Sequence, residues 1–214
     1  MSAFIDEKIA ITLFNLHDLI IIRNNVVPQE DINHLMECTN NPDTQQATIL
    51  DDNAEGGKKD LGVRDTLWYP QSDELRVHLE QAIAGCYFRY VQPRYQCTFK
   101  KYEPAQFLGY NPGGHYKKHN DGEHFNEKTR QWEKCMPRDI SFLFYLNEEY
   151  GGGELEFPDL GLTIKPKKGM MIAFPSYKDF AHKVHPVTWG HRYSLVSWIE
   201  TEKNLYDTIP RSGF

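Results

Sequence analysis

The chain has 214 residues and a mass of 25.0 kDa, with 40% hydrophobic and 13% aromatic residues, enough for a single globular domain with a proper core. Its net charge of -6 gives no basic footprint and counts against a nucleic-acid partner. Four cysteines without CxxC spacing argue against a disulfide scaffold, and the longest apolar runs fall far short of a membrane span.

In chain order, residues 1–8 carry acids and lack the apolar run of a secretory leader, so a reducing, cytoplasmic setting is expected. Residues 9–14 and 19–27, rich in Ile and Val, read as strands. Pro28-Gln29-Glu30-Asp31 opens a helix, with proline in its first turn and acids at its positive end. Ile32, Leu35, Met36 and Cys38 form its apolar face. Residues 40–65 are polar and read as a long loop, the kind that serves as a lid. A second helix is expected over 72–90, carried by Leu75, Val77, Leu79, Ile83 and Phe88. Cys38 and Cys86 fall in these patterns and are expected to be buried thiols.

From residue 96 onward the pattern becomes short strands separated by Gly and Pro turns, which predicts an all-β barrel or sandwich. Residues 142–146 are apolar on both faces, as in a central strand. Residues 121–138 interrupt the pattern with a polar stretch containing Trp132 and Cys135, a candidate second flap. Lys117, Lys118, Lys165, Lys167 and Lys168 read as a solvated edge.

His119-Asn120-Asp121 lies among these strands. On a strand, side chains at i and i+2 share a face, so His119 and Asp121 are expected to converge while Asn120 points away. His78-Leu79-Glu80 offers the same spacing, but on a helix i and i+2 diverge. A third ligand must come from elsewhere, and His182 or His185 can supply it. Two imidazoles and one carboxylate on one face of an octahedron suit non-haem Fe(II) and leave open positions. His115, His124 and His191 read as exposed or loop histidines.

Residues 106–121, with His119 and Asp121 at their end, resemble the strand pair that carries the first two ligands in prolyl 4-hydroxylase-like Fe(II)/2-oxoglutarate-dependent dioxygenases. Residues 139–147, 151–157, 166–174 and 182–198 follow in that family's order, so the resemblance covers about half the chain, residues 102–200. It implies a mainly β fold with flanking helices, a double-stranded β-helix or jelly roll. Residues 96–200 would form the core and 1–95 its support, within one domain over 1–214. Its spacing selects His182 over His185 as third ligand and assigns Arg192 to the distal carboxylate of 2-oxoglutarate, with Ser194, Tyr145 and Tyr110 beside it. Relatives nearest the collagen prolyl hydroxylases carry lysine at that position, so this chain looks more like the arginine-bearing branch. Halogenating relatives carry a small residue where Asp121 stands, so hydroxylation is implied.

The co-substrates implied are 2-oxoglutarate and O2 at Fe(II), with ascorbate as reductant. The substrate implied is a prolyl residue in a peptide or protein; a free amino acid or other small molecule is the alternative. A nucleic-acid demethylase or a non-catalytic metal-binding barrel is more remote. Arg64 resembles a substrate-facing arginine of the family, and Trp68 and Trp132 are candidates to cap the cavity.

Overall fold

The computed structural model describes residues 16–49, 57–203 and 205. The first half runs β1 (Ile21–Arg23), α1 (Gln29–Glu37), β2 (Gln45–Gln46), β3 (Arg64–Asp65), β4 (Leu67–Tyr69), α2 (Asp73–Cys86), a π-helical turn (Tyr87–Val91) and α3 (Gln92–Tyr95). The second half begins with β5 (Phe99–Tyr110), β6 (His115–His119), β7 (Glu123–Asn126), β8 (Gln131–Lys134), β9 (Ile140–Tyr145) and β10 (Tyr150–Gly152). It ends with β11 (Leu155–Phe157), β12 (Leu162–Ile164), β13 (Met171–Pro175), β14 (His182–Val184), β15 (Val187–Gly190) and β16 (Arg192–Thr201).

Two antiparallel sheets make the jelly roll. The larger has the order β1-β13-β9-β16-β5-β4-β2, and the smaller β12-β11-β14-β6-β3. From β5 onward the chain alternates between them: β5, β9, β13 and β16 lie in the large sheet, with β6, β11 and β14 between them in the small one. Every residue of β9 and β13 is buried, as expected of central strands covered on both faces. Ile32 and Leu35 of α1 and Leu79 and Ile83 of α2 join the same apolar cluster.

The helices begin where their sequences predict. Ser72 caps α2, its hydroxyl accepting from Leu75 N at 3.2 Å, and Asp73 and Glu74 occupy the first turn. Pro28 stands just ahead of α1, whose first turn holds Glu30 and Asp31. No helix among the described residues is long and apolar enough to cross a membrane.

Four expectations change. Over 19–27 only Ile21–Arg23 pairs, with Ala173–Met171 of β13, because Asn25 takes a left-handed φ of 55° and turns the chain. The strand expected over 9–14 lies outside the described residues. The 40–65 segment is partly sheet edge: Gln45 and Gln46 pair with Trp68 and Leu67, and Ile49 bridges Lys58. An edge strand of polar residues has no apolar face to betray it. Residues 121–138 contain the hairpin β7–β8, closed at its tip by Arg130 at φ 56°. Cys38, in the 3-10 turn after α1, and Cys86, the last residue of α2, are half-buried rather than buried; all four cysteines are free thiols.

The small sheet is tied to the core by Phe157, fully buried on β11, whose ring meets Phe174 edge-on at 4.9 Å and lies 5.8 Å from the His182 ring. Phe157→Ala is expected to cost about 3–5 kcal/mol in urea unfolding. A loss below about 1 kcal/mol would show that this ring does not hold the sheets together.

Candidate active site

β6 and β14 pair so that His119 and His182 are direct cross-strand partners, with ring centroids 4.3 Å apart. A register shift between His182 and Val184 gives β6 one extra residue, a bulge that re-aims the ligand end. Asp121 arrives differently from the strand spacing expected: β6 stops at His119 and Asp121 lies in a bend. Its carboxylate is pulled in by Ser141, whose hydroxyl donates to Oδ2 at 2.6 Å and is itself 2.7 Å from Ser176 Oγ. Gly122 N also bonds Ser176 O at 2.9 Å, so β9 and the end of β13 fix the bend from two sides.

One donor atom from each of His119, Asp121 and His182 lies within 4.8 Å of the others, and no second such group occurs among the described residues. His119 Nδ1 lies 2.8 Å from Lys117 O, and His182 Nδ1 lies 3.1 Å from Phe180 O. A carbonyl only accepts, so each Nδ1 carries the proton and each Nε2 presents a lone pair inward. Burial and the neighbouring His119 push the His182 pKa down to about 4. Burial works to raise the Asp121 carboxyl, but His182, His119 and Arg138 outweigh it and hold it well below the usual carboxylate range. At neutral pH the cluster therefore presents His182 as a neutral imidazole beside an ionised Asp121, the proton-free state in which these groups bind a divalent metal. Tyr116 stacks on His119 at 3.5 Å, and the Arg64 guanidinium covers its other neighbourhood, 4.8 Å from the ring centroid.

Arg192, first residue of β16, pairs with Tyr110 of β5, and Ser194 pairs with Tyr145 of β9. The guanidinium carbon lies 4.6 Å from the Tyr110 ring centroid and 5.0 Å from that of Tyr145. Arg192 is 1% exposed, and only Nη1 is engaged, donating to Ser194 Oγ at 3.3 Å. The cation is coupled to the phenols of Tyr145, Tyr110 and Tyr150, yet no aligned hydrogen bond reaches Nε, Nη2, Tyr145 Oη or Tyr150 Oη. Burial raises the Tyr145 phenol well above its ordinary value, so it stays a donor. An unpaired buried cation beside neutral donors fits a carboxylate.

A cavity of about 730 Å³ joins the two features, with His119, Asp121, His182, Arg192, Ser194 and Tyr110 all on its wall. Residues 45–49 line one side and Glu123, His124 and Cys135 another, so both segments singled out as flaps contribute. Arg64 lines it too, buried, with Nη1 donating to Thr48 O at 2.8 Å and Nε unpaired. Trp68 also faces it, whereas Trp132 does not. Trp132 stands 41% exposed, edge-on to Phe125, its cross-strand partner on β7. His185 is turned outward and pairs with Glu156. His78 is held by Asp31 at 2.7 Å, remote from the cluster.

Sequence reasoning missed Ser141, Ser176 and Trp198. Trp198 lines the cavity under the Arg138 guanidinium, 3.7 Å from its ring centroid, and its Nε1 is buried and unpaired. Buried serines within apolar strands were the available signal, since such hydroxyls need partners.

His182→Ala is expected to abolish Mn(II) binding by titration calorimetry while His185→Ala preserves it; the reverse would misplace the third donor. Ser141→Ala should weaken metal binding roughly 10–100-fold. An unchanged affinity would show that Asp121 needs no second partner.

A model of the 2OG-Fe(II) oxygenase superfamily matches residues 105–200. A PKHD-type hydroxylase of Teredinibacter turnerae is 29% identical over 163 residues, covering 73% of this chain and 69% of that protein. A putative prolyl 4-hydroxylase of Acanthamoeba polyphaga mimivirus is 26% identical over 126 residues, 54% of this chain and only 52% of the viral protein. Among solved structures, a Trichoplax adhaerens prolyl hydroxylase in complex with a hypoxia inducible factor oxygen degradation domain peptide fragment shares the fold. Its TM-score is 0.65 at 16% identity, covering 94% of this chain and 92% of that one. The matched stretch contains all three donors and the buried arginine, and over it the chain is similar to the 2OG-Fe(II) oxygenase superfamily.

Proposed function

We propose that the protein is an Fe(II)- and 2-oxoglutarate-dependent dioxygenase that hydroxylates a C–H bond of a prolyl residue in a peptide or protein, working as one catalytic domain. The observation that carries this reading is the shared cavity: a two-histidine, one-carboxylate cluster opens onto the same space as a buried arginine with unpaired donors. The prolyl substrate is supported by the relatives, several of which are named as prolyl hydroxylases.

His119 Nε2, His182 Nε2 and the Asp121 carboxylate would hold the metal, and Arg192 the distal carboxylate of the oxo acid. Bound Fe(II), with 2-oxoglutarate and O2, supplies the oxidation that turns a substrate C–H into C–OH as the oxo acid becomes succinate and CO2. Around it, this chain orients and shields. Ser141 and Ser176 keep Asp121 turned inward. Tyr116 and Phe174 hold the two imidazole rings by stacking and edge contact. Tyr110, Tyr145 and Ser194 surround the guanidinium and keep water from it. On the substrate side Arg64 presents an unpaired Nε. Four free thiols suit a reducing cytoplasm, where ascorbate would keep the metal ferrous.

The test is succinate release from 2-oxoglutarate with Fe(II), ascorbate and proline-containing peptides, with mass spectrometry for one added oxygen. Free amino acids run in parallel; oxygen found only on these would replace the peptide substrate. Arg192→Ala should raise the 2-oxoglutarate requirement by roughly 30-fold or more, as expected when a charge-assisted bidentate contact is lost, and leave the iron requirement nearly unchanged. Comparable shifts in both would place the oxo acid elsewhere.

A further inference from the structure

Asp139, directly ahead of β9, is 1% exposed, and its side chain is wholly enclosed. Its Oδ1 accepts from Lys134 Nζ at 2.7 Å, and its Oδ2 accepts from Thr201 N at 2.9 Å. The second bond falls where the register of β16 against β5 shifts between Glu200 and Thr201. The first joins the last residue of β8 to the residue before β9, so residues 134–139 form a loop closed by an ion pair.

Residues inside that loop grip the bend that carries Asp121. Cys135 N and Met136 N both donate to Gly122 O, at 2.9 and 3.3 Å, and Arg138 Nη1 donates to Asp121 O at 3.4 Å. The main chain of Asp139 reaches the same bend by another route. Its carbonyl accepts from Ser176 N at 2.9 Å, and Ser176 O accepts from Gly122 N at 2.9 Å. Side chain and main chain of one buried residue thus lead separately to Asp121 and Gly122.

A carboxylate is costly to enclose, and a buried ion pair is often no more stabilising than apolar residues of the same volume. Fixed geometry is what such a pair can add. We infer that Asp139 is a positioning residue for the metal-binding carboxylate of Asp121, acting by closing the 134–139 loop on Lys134. The inference rests on His119, Asp121 and His182 as the metal cluster. The loop needs a carboxylate in particular. One oxygen meets an ammonium and the other a backbone N–H, both donors, whereas asparagine would turn its own NH2 toward one of them.

The experiment compares wild type with Asp139→Asn, Lys134→Met and Lys134→Arg. It uses calorimetric titration of Mn(II), the visible absorption of the Co(II)-loaded protein, and urea unfolding of the metal-free protein. Asp139→Asn and Lys134→Met should each weaken Mn(II) roughly tenfold, the scale of losing a partner that orients a ligand, and shift the Co(II) bands. Lys134→Arg, which keeps the cation, should stay within about twofold of wild type and retain its bands. Lower urea midpoints with Mn(II) affinity and Co(II) bands unchanged would make the pair a structural clamp only, and overturn the inference. Equal weakening by Lys134→Arg and Lys134→Met would separate the effect from the ion pair and overturn it too. If Asp139→Asn does not fold, the contrast between the two Lys134 variants decides alone. Failure of wild type to bind Mn(II) would remove the metal cluster itself, and this inference with it.

Discussion

The antiparallel contact between β14 and β6 sets His182 opposite His119, and the rest of the site is arranged around it. Cross-strand partners sit close enough for two rings to share one ion, and a bulge lets both point to the same side. That contact lies in the small sheet, whereas Arg192, Tyr110, Tyr145 and the serine that grips Asp121 come from the large one. The space between the sheets is therefore both core and cavity, and its width is set by rings such as Phe157 and Phe174.

Electrostatics follow from that enclosure. An isolated charge in an apolar interior costs several kcal/mol unless it is paired. Asp121 accepts from the Ser141 hydroxyl, and the Arg138 guanidinium favours its ionised form, a setting that suits a bound cation. Arg192 has the opposite sign and is surrounded by neutral phenols rather than a carboxylate of this chain. The two ends of the cavity thus differ in charge preference, as a ligand joining a metal chelate to a distal anion requires.

Much of this was legible in the residues. The helices over 29–37 and 73–86 announced themselves through Pro28, Ser72 and a 3.6-residue apolar period. His119, Asp121, His182 and Arg192 were found through motif order and spacing, and the structure brings all four to one cavity. The strand spacing expected to carry Asp121 is not what brings it to the cluster. Strand alternation does not extend past His119, and convergence depends on hydroxyls from β9 and the end of β13, distant in sequence. Trp198 was hidden for a related reason, since an aromatic residue in a β-rich segment reads as core whether or not its polar atom is paired. Trp132 stands off the cavity wall, on a hairpin whose turn at Arg130 composition did not reveal.

The base of the β7–β8 hairpin is clamped by Cys135 N on Gly122 O and by Lys134 Nζ on the buried Asp139. Its tip, from Glu127 to Arg130, is exposed and self-contained, with Arg130 paired to Glu127. Mechanical isolation of this kind separates chemistry from selectivity. The protruding arm can lengthen, shorten or change its charge across descendants of this chain while the carboxylate at its root keeps its orientation, so new targets become accessible without rebuilding the catalytic centre.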